Sequence, residues 1–252
     1  MLITGFAVGP HETNCYLVAA RASGPAIVID PGDEAVGTLE YYFTVNDLTP
    51  AAVLLTHGHP GHSGAAFDLC TGWDIPVHLH PADVDLLDEP PEDVRAVADG
   101  AVLSVAGIDV TVDHTPGHTP GSVTYRVTAD TDEGPAEVAF TGDTLGFRWV
   151  GRGAPDADRA ALLRSVGAKL LVLGDATVVL PGHGASTTIG AWLERSAPYS
   201  GSYPSSRVSA SSSVVETFID DEQAYIVMEY ESGDPLKRWL PLNRSEEHTS
   251  EL

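Results

Sequence analysis

The amino-acid sequence predicts an α/β fold in which helices cover two β-sheets. Short apolar runs rich in Val, Ile and Leu recur as far as Leu180, and loops with Gly, Pro, Asn and Asp separate them. Some runs follow one another through short loops, whereas others are separated by helical stretches. A strand-rich chain with both kinds of connection forms sheets whose apolar faces need helices as cover.

Ten runs of four to seven residues are predicted strands, because apolar and β-branched residues dominate them. In chain order these strands are residues 2–8, 14–19, 26–29, 52–55, 76–79, 101–105, 108–112, 122–127, 138–141 and 177–180.

Four segments between the strands are predicted helices, namely residues 34–45, 63–72, 82–87 and 156–171. The last of them has a clear start, because Pro155 precedes an acidic first turn. Apolar residues then follow at Leu162, Leu163 and Val166, which predicts one buried face.

The composition restricts the classes of partner. The 252 residues include 36 Asp and Glu against 13 Lys and Arg, a net charge of -23, which excludes nucleic acids and anionic membranes as partners. The hydrophobic share of 43% is enough to bury a core. Because no basic leader or long apolar run is present, we expect a soluble cytoplasmic protein. Cys15 and Cys70 lie in apolar stretches and are expected to be buried free thiols.

The chain changes character near Tyr199. Residues 200–213 are mostly Ser and are predicted to be a flexible linker, and the two apolar runs beyond it predict a hairpin. Part of residues 214–243 also resembles the inter-lobe hinge of serine/threonine protein kinases, but no Gly-rich phosphate loop, His-Arg-Asp or Asp-Phe-Gly motif accompanies it, which excludes kinase activity. Residues 244–252 resemble the translation of a sequencing-library adapter. We therefore expect one functional domain, residues 1–199, and no independent domain after it.

Histidine and aspartate residues follow the ends of several predicted strands. Three histidines stand in the hexapeptide His-Gly-His-Pro-Gly-His directly after the strand at residues 52–55. His118, Asp143 and His183 lie in Gly- or Pro-containing loops that follow three other strands. Imidazole and carboxylate groups bind zinc, iron or manganese, and loops at one edge of a sheet hold such ligands without strain. The pattern predicts a metal site at this edge.

Six ordered motifs make the chain similar to the metallo-β-lactamase-fold hydrolases, and most similar to their glyoxalase II-like (hydroxyacylglutathione hydrolase-like) branch. The motifs are Thr-Asn-Cys-Tyr-Leu-Val, Val-Ile-Asp-Pro-Gly, Leu-Thr-His-Gly-His-Pro-Gly-His-Ser-Gly, His-Thr-Pro-Gly-His-Thr-Pro-Gly-Ser, Thr-Gly-Asp-Thr-Leu and Leu-Pro-Gly-His-Gly. The resemblance runs from Met1 to about Arg195 and implies a four-layer αβ/βα sandwich.

The resemblance also implies a role for each matching residue. A first metal would be held by His57, His59 and His118. Asp143 would bridge to a second metal, and the other ligands of that metal would be His62 and His183. Asp30 would support the site from beneath, outside the ligand shell. The metal would be zinc, as one or two ions, with iron or manganese as alternatives.

Four other histidines are not expected to bind metal. His114 matches a family histidine that does not bind metal, so a structural role is expected. His11, His78 and His80 lie outside the motifs and are expected to be ordinary surface or core residues.

Gly61 departs from the family pattern, which has an aspartate at this position. That aspartate is a ligand of the second metal, and glycine offers neither an oxygen ligand nor a charge. The second site is therefore expected to be weakened or empty, whereas the first keeps its ligands.

The resemblance implies hydrolysis of a small thioester or ester. A metal lowers the pKa of its bound water to about 7 and polarises the acyl carbonyl. Asp143 would position that water or accept its proton. The helical domain that binds glutathione in glyoxalase II has no counterpart here, so an anionic substrate would depend on local arginines such as Arg148 or Arg152.

Two other readings stay open. Related persulfide dioxygenases use one iron held by two His and one Asp, which would map onto His57, His118 and Asp143. Alternatively, Gly61 marks a catalytically impaired homologue that binds metal structurally or not at all.

Overall fold

The computed structural model describes residues 1–131, 134–151, 157–196, 213–220 and 223–229. The strands are β1 Leu2–Val8, β2 Thr13–Ala19, β3 Gly24–Ile29, β4 Leu48–Leu54, β5 Val77–Leu79, β6 Val94–Ala96, β7 Val102–Val105, β8 Ile108–His114, β9 Val123–Thr131, β10 Gly134–Gly142, β11 Leu145–Gly146, β12 Trp149–Val150, β13 Val178–Pro181, β14 Thr187–Thr188, β15 Ser213–Asp220 and β16 Gln223–Glu229. The α-helices are α1 Ala35–Val45, α2 Pro60–Ser63, α3 Ala66–Trp73, α4 Arg159–Ser165 and α5 Ile189–Ser196.

The first sheet has six strands in the order β1-β2-β3-β4-β5-β6. The pairs β1–β2 and β2–β3 are antiparallel, and short loops connect them. The pairs β3–β4, β4–β5 and β5–β6 are parallel. Parallel neighbours need a crossover, and α1 supplies one between β3 and β4, as α3 does between β4 and β5.

The second sheet has the order β14-β13-β10-β9-β8-β7. Antiparallel pairing links β7 through β10, and β13 lies parallel to β10. The crossover from β10 to β13 contains α4, followed by a π-helical turn at Val166–Leu170. The carboxyl ends of β10 and β13 therefore lie at the same edge.

The two sheets face each other across one of the hydrophobic cores. Alternate side chains of the first sheet, among them Ile27, Ile29 and Leu54, pack against Val112, Tyr125 and other residues of the second. Strands alternate their side chains between two faces, so each sheet also has an outer apolar face. On the first sheet α1 and α3 cover that face, and on the second α4 and α5 cover it. The result is the predicted four-layer αβ/βα sandwich.

All ten predicted strands are present, and each lies within a few residues of its predicted bounds. Four short strands were not predicted, namely β6, β11, β12 and β14. Each has only two or three residues, too few for an apolar run to stand out.

Three of the four predicted helices differ in type or limits. Residues 81–86 form a 3₁₀ helix instead of an α-helix. The helix predicted at 63–72 is divided into α2 and α3. The helix predicted to start at Asp156 begins at Arg159, because the Asp158 side chain caps it by accepting a hydrogen bond from Ala161 N at 2.9 Å. Pro155 and Asp156 lie outside the described residues.

After the Ser-rich segment, where a hairpin was predicted, β15 pairs antiparallel with β16. Residues 200–212 of the predicted linker and residues 244–252 lie outside the described residues, as does much of the kinase-hinge-like stretch. Among the described helices, none combines the length and apolar character that crossing a membrane demands. Cys15 and Cys70 are buried free thiols, as expected.

Candidate metal centre

The carboxyl ends of four strands from both sheets converge on one group of polar side chains. The loop after β4 carries His57, His59 and His62, while the segments after β8, β10 and β13 carry His118, Asp143 and His183. The structure brings all six together, although they span 127 positions of the chain from 57 to 183. All except the partly exposed His59 are buried.

Three imidazole nitrogens form a first cluster. His118 Nε2 lies 3.2 Å from His57 Nε2 and 3.1 Å from His59 Nδ1. When tetrahedrally placed nitrogens bind a zinc ion at about 2.0–2.1 Å, neighbouring nitrogens lie roughly 3.3–3.4 Å apart. The donor set and its spacing therefore fit a divalent transition metal.

A second cluster lies beside the first. His62 Nε2 is 3.3 Å from His183 Nε2 and 3.6 Å from Asp143 Oδ1. Asp143 Oδ2 is 3.5 Å from His183 Nε2 and 3.7 Å from His118 Nε2. Asp143 thus faces both clusters, and its Oδ1 has no hydrogen-bond partner within the described part of the chain.

Asp30 fixes the orientation of the rings from beneath. Its carboxylate accepts hydrogen bonds from Thr56 N and Thr56 Oγ1, both at 2.7 Å, and its Oδ2 lies 3.0 Å from His62 Nδ1. Thr56 Oγ1 is in turn 3.1 Å from His57 Nδ1. Both imidazoles therefore place Nδ1 against a hydrogen-bond partner, which orients Nε2 towards the clusters where a metal would bind.

The electrostatics of the two clusters differ. Burial, and to a smaller extent the neighbouring imidazoles, lower the pKa values of His57, His59 and His118. The pKa of His57 lies well below its usual value, and that of His118 is lowered to about 4. These rings are neutral near pH 7, which is the form that binds metal. Burial also acts to lower the pKa of His62, but the carboxylates of Asp143 and Asp30 outweigh it and raise that pKa to about 10.

Asp83 is an important residue of the site that sequence reasoning missed. Its fully buried carboxylate accepts hydrogen bonds from Gly58 N at 3.0 Å, Thr119 Oγ1 at 2.6 Å and Gly121 N at 2.6 Å. It thereby joins the loop of His57 and His59 to the loop of His118. Nothing in the sequence around a single acidic residue of a short 3₁₀ helix predicts that it links two distant loops.

The other histidines lie outside the two clusters. His114 stacks on His80 with ring centroids 4.2 Å apart, and its Nε2 lies 3.0 Å from Pro120 O. His78 is buried in the first sheet. His11 is exposed and lies beside Gly61.

Of the two arginines predicted to bind an anionic substrate, Arg148 lies within the described residues and has Arg195 as a neighbour. Arg148 and Arg195 both lie against the ring of Phe147, with their guanidinium carbons 5.2 Å and 4.3 Å from its centroid. Arg152 lies outside the described residues.

A family model described as the metallo-beta-lactamase superfamily matches residues 8–183. The chain is 46% identical over 215 residues to an uncharacterised protein of Mycobacterium tuberculosis, covering 76% of this chain and 94% of that protein. It is 34% identical over 199 residues to the probable metallo-hydrolase YqgX of Bacillus subtilis, with coverages of 72% and 90%. It is 33% identical over 200 residues to the hydroxyacylglutathione hydrolase GloC of Haemophilus influenzae, with coverages of 73% and 91%.

Three solved structures are similar to this chain in fold. The BLEG-1 B3 metallo-beta-lactamase superposes with a TM-score of 0.67 at 30% identity, covering 77% of this chain and 97% of that one. TTHA1623 in a di-iron-bound form has a TM-score of 0.63 at 37% identity, with coverages of 75% and 96%. ETHE1 from Myxococcus xanthus has a TM-score of 0.64 at 28% identity, with coverages of 75% and 80%.

Proposed function

The chain belongs to the metallo-beta-lactamase superfamily, and from that premise we propose that it is a metal-dependent hydrolase of small thioesters or esters. We assign the activity to residues 1–199. One observation carries the proposal, namely that His118 Nε2 lies 3.2 Å from His57 Nε2 and 3.1 Å from His59 Nδ1, beside the carboxylate of Asp143.

We propose that His57, His59 and His118 hold the first metal, and that His62, His183 and Asp143 provide the second site. When bound, such an ion lowers the pKa of a coordinated water from about 15.7 to about 7 and polarises an acyl carbonyl.

Asp143 is proposed to orient the attacking water. Burial alone would raise the pKa of Asp143, but the nearby imidazoles of His183 and His62 outweigh burial and hold it well below the usual value. Its carboxylate therefore stays ionised and is a better acceptor for a hydrogen bond from water than a store for its proton. Because the Asp143 carboxylate takes up a proton poorly, it has none to pass on to a leaving group. A thiolate leaves without being protonated first, so a thioester suits this site.

Zinc is our proposed metal, because three neutral imidazoles suit it. Iron is a real alternative, since TTHA1623, which is 37% identical, has been solved in a di-iron-bound form.

We propose an anionic thiol conjugate as the substrate class. One relative is named a hydroxyacylglutathione hydrolase. Arg148 and Arg195 contact the Phe147 ring, and neither forms an ion pair among the described residues. Both guanidinium groups therefore remain able to meet a substrate carboxylate despite the acidic character of the chain.

An oxygen-dependent reaction on a persulfide is the second candidate, and Gly61 is the observation that favours it. The glycine removes a ligand of the second site only, while His57, His118 and Asp143 remain together, with His118 Nε2 3.2 Å from His57 Nε2 and 3.7 Å from Asp143 Oδ2. Two His and one carboxylate suit a single iron.

The test uses the purified full chain with its metal content determined by elemental analysis. We expect zinc and the release of free thiol from a hydroxyacyl thioester of glutathione. His59→Ala should weaken metal binding at the first cluster and reduce the rate, each by at least about 100-fold, because it removes one of the three proposed ligands. The ring is partly exposed, so its removal leaves no buried cavity.

His80→Asn is the matched control, since Asn can still accept the hydrogen bond from Ala82 N that His80 Nδ1 accepts. It should leave metal content and rate unchanged. One iron per chain with persulfide-dependent oxygen uptake would replace the hydrolase with the second candidate. Full thioester turnover by metal-free His59→Ala would refute both.

A further inference from the structure

Gly61 leaves a gap at the second metal site, and the gap has an identifiable lining. A Cβ at position 61 would lie 3.5 Å from Thr13 Oγ1, 3.6 Å from His11 Cδ2 and 3.9 Å from His11 Cβ. These are ordinary van der Waals distances, so the backbone leaves room for a side chain that points towards His11 and Thr13. The imidazole of His11 therefore lies in the direction in which the usual aspartate would extend.

The segment that carries His11 is fixed to the loop that carries His183. Asn14 N donates to Gly182 O at 2.7 Å, and Asn14 Nδ2 donates to Gly184 O at 2.8 Å. His183 Nδ1 lies 3.3 Å from Glu12 O. These contacts hold the backbone around His11 beside one of the proposed ligands of the second metal.

The two side chains that line the gap have unused hydrogen-bonding or metal-binding capacity. Thr13 Oγ1 is buried without a hydrogen-bond partner within the described part of the chain. His11 is exposed at a turn closed by Glu12 N donating to Gly9 O at 3.2 Å, and none of the hydrogen bonds or ion pairs in the described residues involves its ring. A change of rotamer at His11 therefore breaks no described interaction.

We propose that His11 replaces the missing aspartate as a ligand of the second metal, together with His62, His183 and Asp143. This inference rests on the proposed metal chemistry, and it revises the expectation from sequence that His11 is an ordinary surface residue. Exchanging a carboxylate for a neutral imidazole removes one negative charge from the site. The resulting site prefers zinc and disfavours manganese, because carboxylate oxygens suit manganese better.

Metal stoichiometry tests the proposal without reference to activity. Metal-free full-length protein is titrated with Zn²⁺, the bound metal is counted by elemental analysis, and the Co²⁺-substituted form is followed by its visible spectrum. We expect two zinc ions in the unmodified protein and one in His11→Ala, with the second Kd weakened at least about tenfold. His80→Asn should keep two.

A rescue variant separates a lost ligand from a disturbed fold. Gly61→Asp in the His11→Ala background should restore the second zinc and also strengthen Mn²⁺ binding, because position 61 has room for the side chain. Circular dichroism of the metal-free variants checks folding.

Two results would overturn the role of His11 while the proposed hydrolase stands. In the first, His11→Ala binds two zinc ions with unchanged affinity, and in the second the unmodified protein binds only one. A protein that binds no zinc at all would overturn the proposed function as well, and the count at the first site distinguishes these cases.

Discussion

Gly182 lies so close to the second cluster that no other residue fits there. A Cβ at this position would be 2.5 Å from Asp143 Oδ1 and 2.6 Å from His62 Cε1. We therefore expect Gly182→Ala to displace a proposed ligand and weaken the second metal by at least about tenfold, while the first metal is retained. Metal titration of the variant measures this. Gly37→Ala is the control, because a Cβ there meets nothing within 4 Å. Unchanged binding of both metals by Gly182→Ala would contradict the geometry.

Single residues differ in how well their roles can be predicted from sequence. The six residues proposed as ligands were identified because histidine and aspartate recur after strands within specific motifs. Asp83, and the proposed ligand role of His11, could not be identified in this way because both depend on contacts between distant segments. Asp83 is 36 positions from Thr119, to which it hydrogen-bonds, and His11 is 50 positions from Gly61. No periodicity or spacing in the sequence reports such a contact.

Among the secondary-structure elements, the 3₁₀ helix at residues 81–86 has a role beyond connecting two strands. Through Asp83 it holds the loop after β4 and the loop after β8 in one arrangement. Asp83→Ala leaves buried N–H groups of Gly58 and Gly121 without an acceptor. Because hydrogen bonds to a charged group contribute about 1.5–3 kcal/mol each, we expect the loss of these two to lower the free energy of unfolding by roughly 3–6 kcal/mol. Binding of the first metal should weaken as well.

Denaturant unfolding and zinc titration of Asp83→Ala would measure both effects. Asp85→Ala is the matched control, because Asp85 belongs to the same 3₁₀ helix but is exposed. A stable Asp83→Ala variant with full zinc affinity would show that the two loops hold their positions without this carboxylate.

Strands were easier to predict than helices for a physical reason. A strand buried between two layers is apolar along its length, as in Ile27-Val28-Ile29 of β3. Helix limits depend instead on capping and local packing. The Asp158 cap placed the start of α4 three residues beyond the predicted Asp156, and the chain continued from α4 into a π-helical turn at Val166–Leu170.

At the scale of the molecule, the proposed site joins the two halves of the sandwich. His57, His59 and His62 follow a strand of the first sheet, whereas Asp143 and His183 follow strands of the second. Each cluster takes donors from both sheets. A metal at either cluster would therefore bind the folded chain far better than the unfolded one and stabilise the contact between the sheets.

Without metal, the same buried histidines make the fold sensitive to acid. The pKa of His118 is lowered to about 4, so its contribution to stability is present above the unfolded value of roughly 6.5 and is lost as the pH falls through 4. The pKa of His62 is raised to about 10, so its contribution is complete below roughly 6.5 and does not decline in this range.

We therefore expect the metal-free chain to lose on the order of 3 kcal/mol through His118 between pH 7 and pH 4. Denaturant unfolding at several pH values measures this loss, and His118→Asn should flatten the profile. Constant or rising stability of the unmodified metal-free chain towards pH 4 would show that these imidazoles are not held neutral by burial.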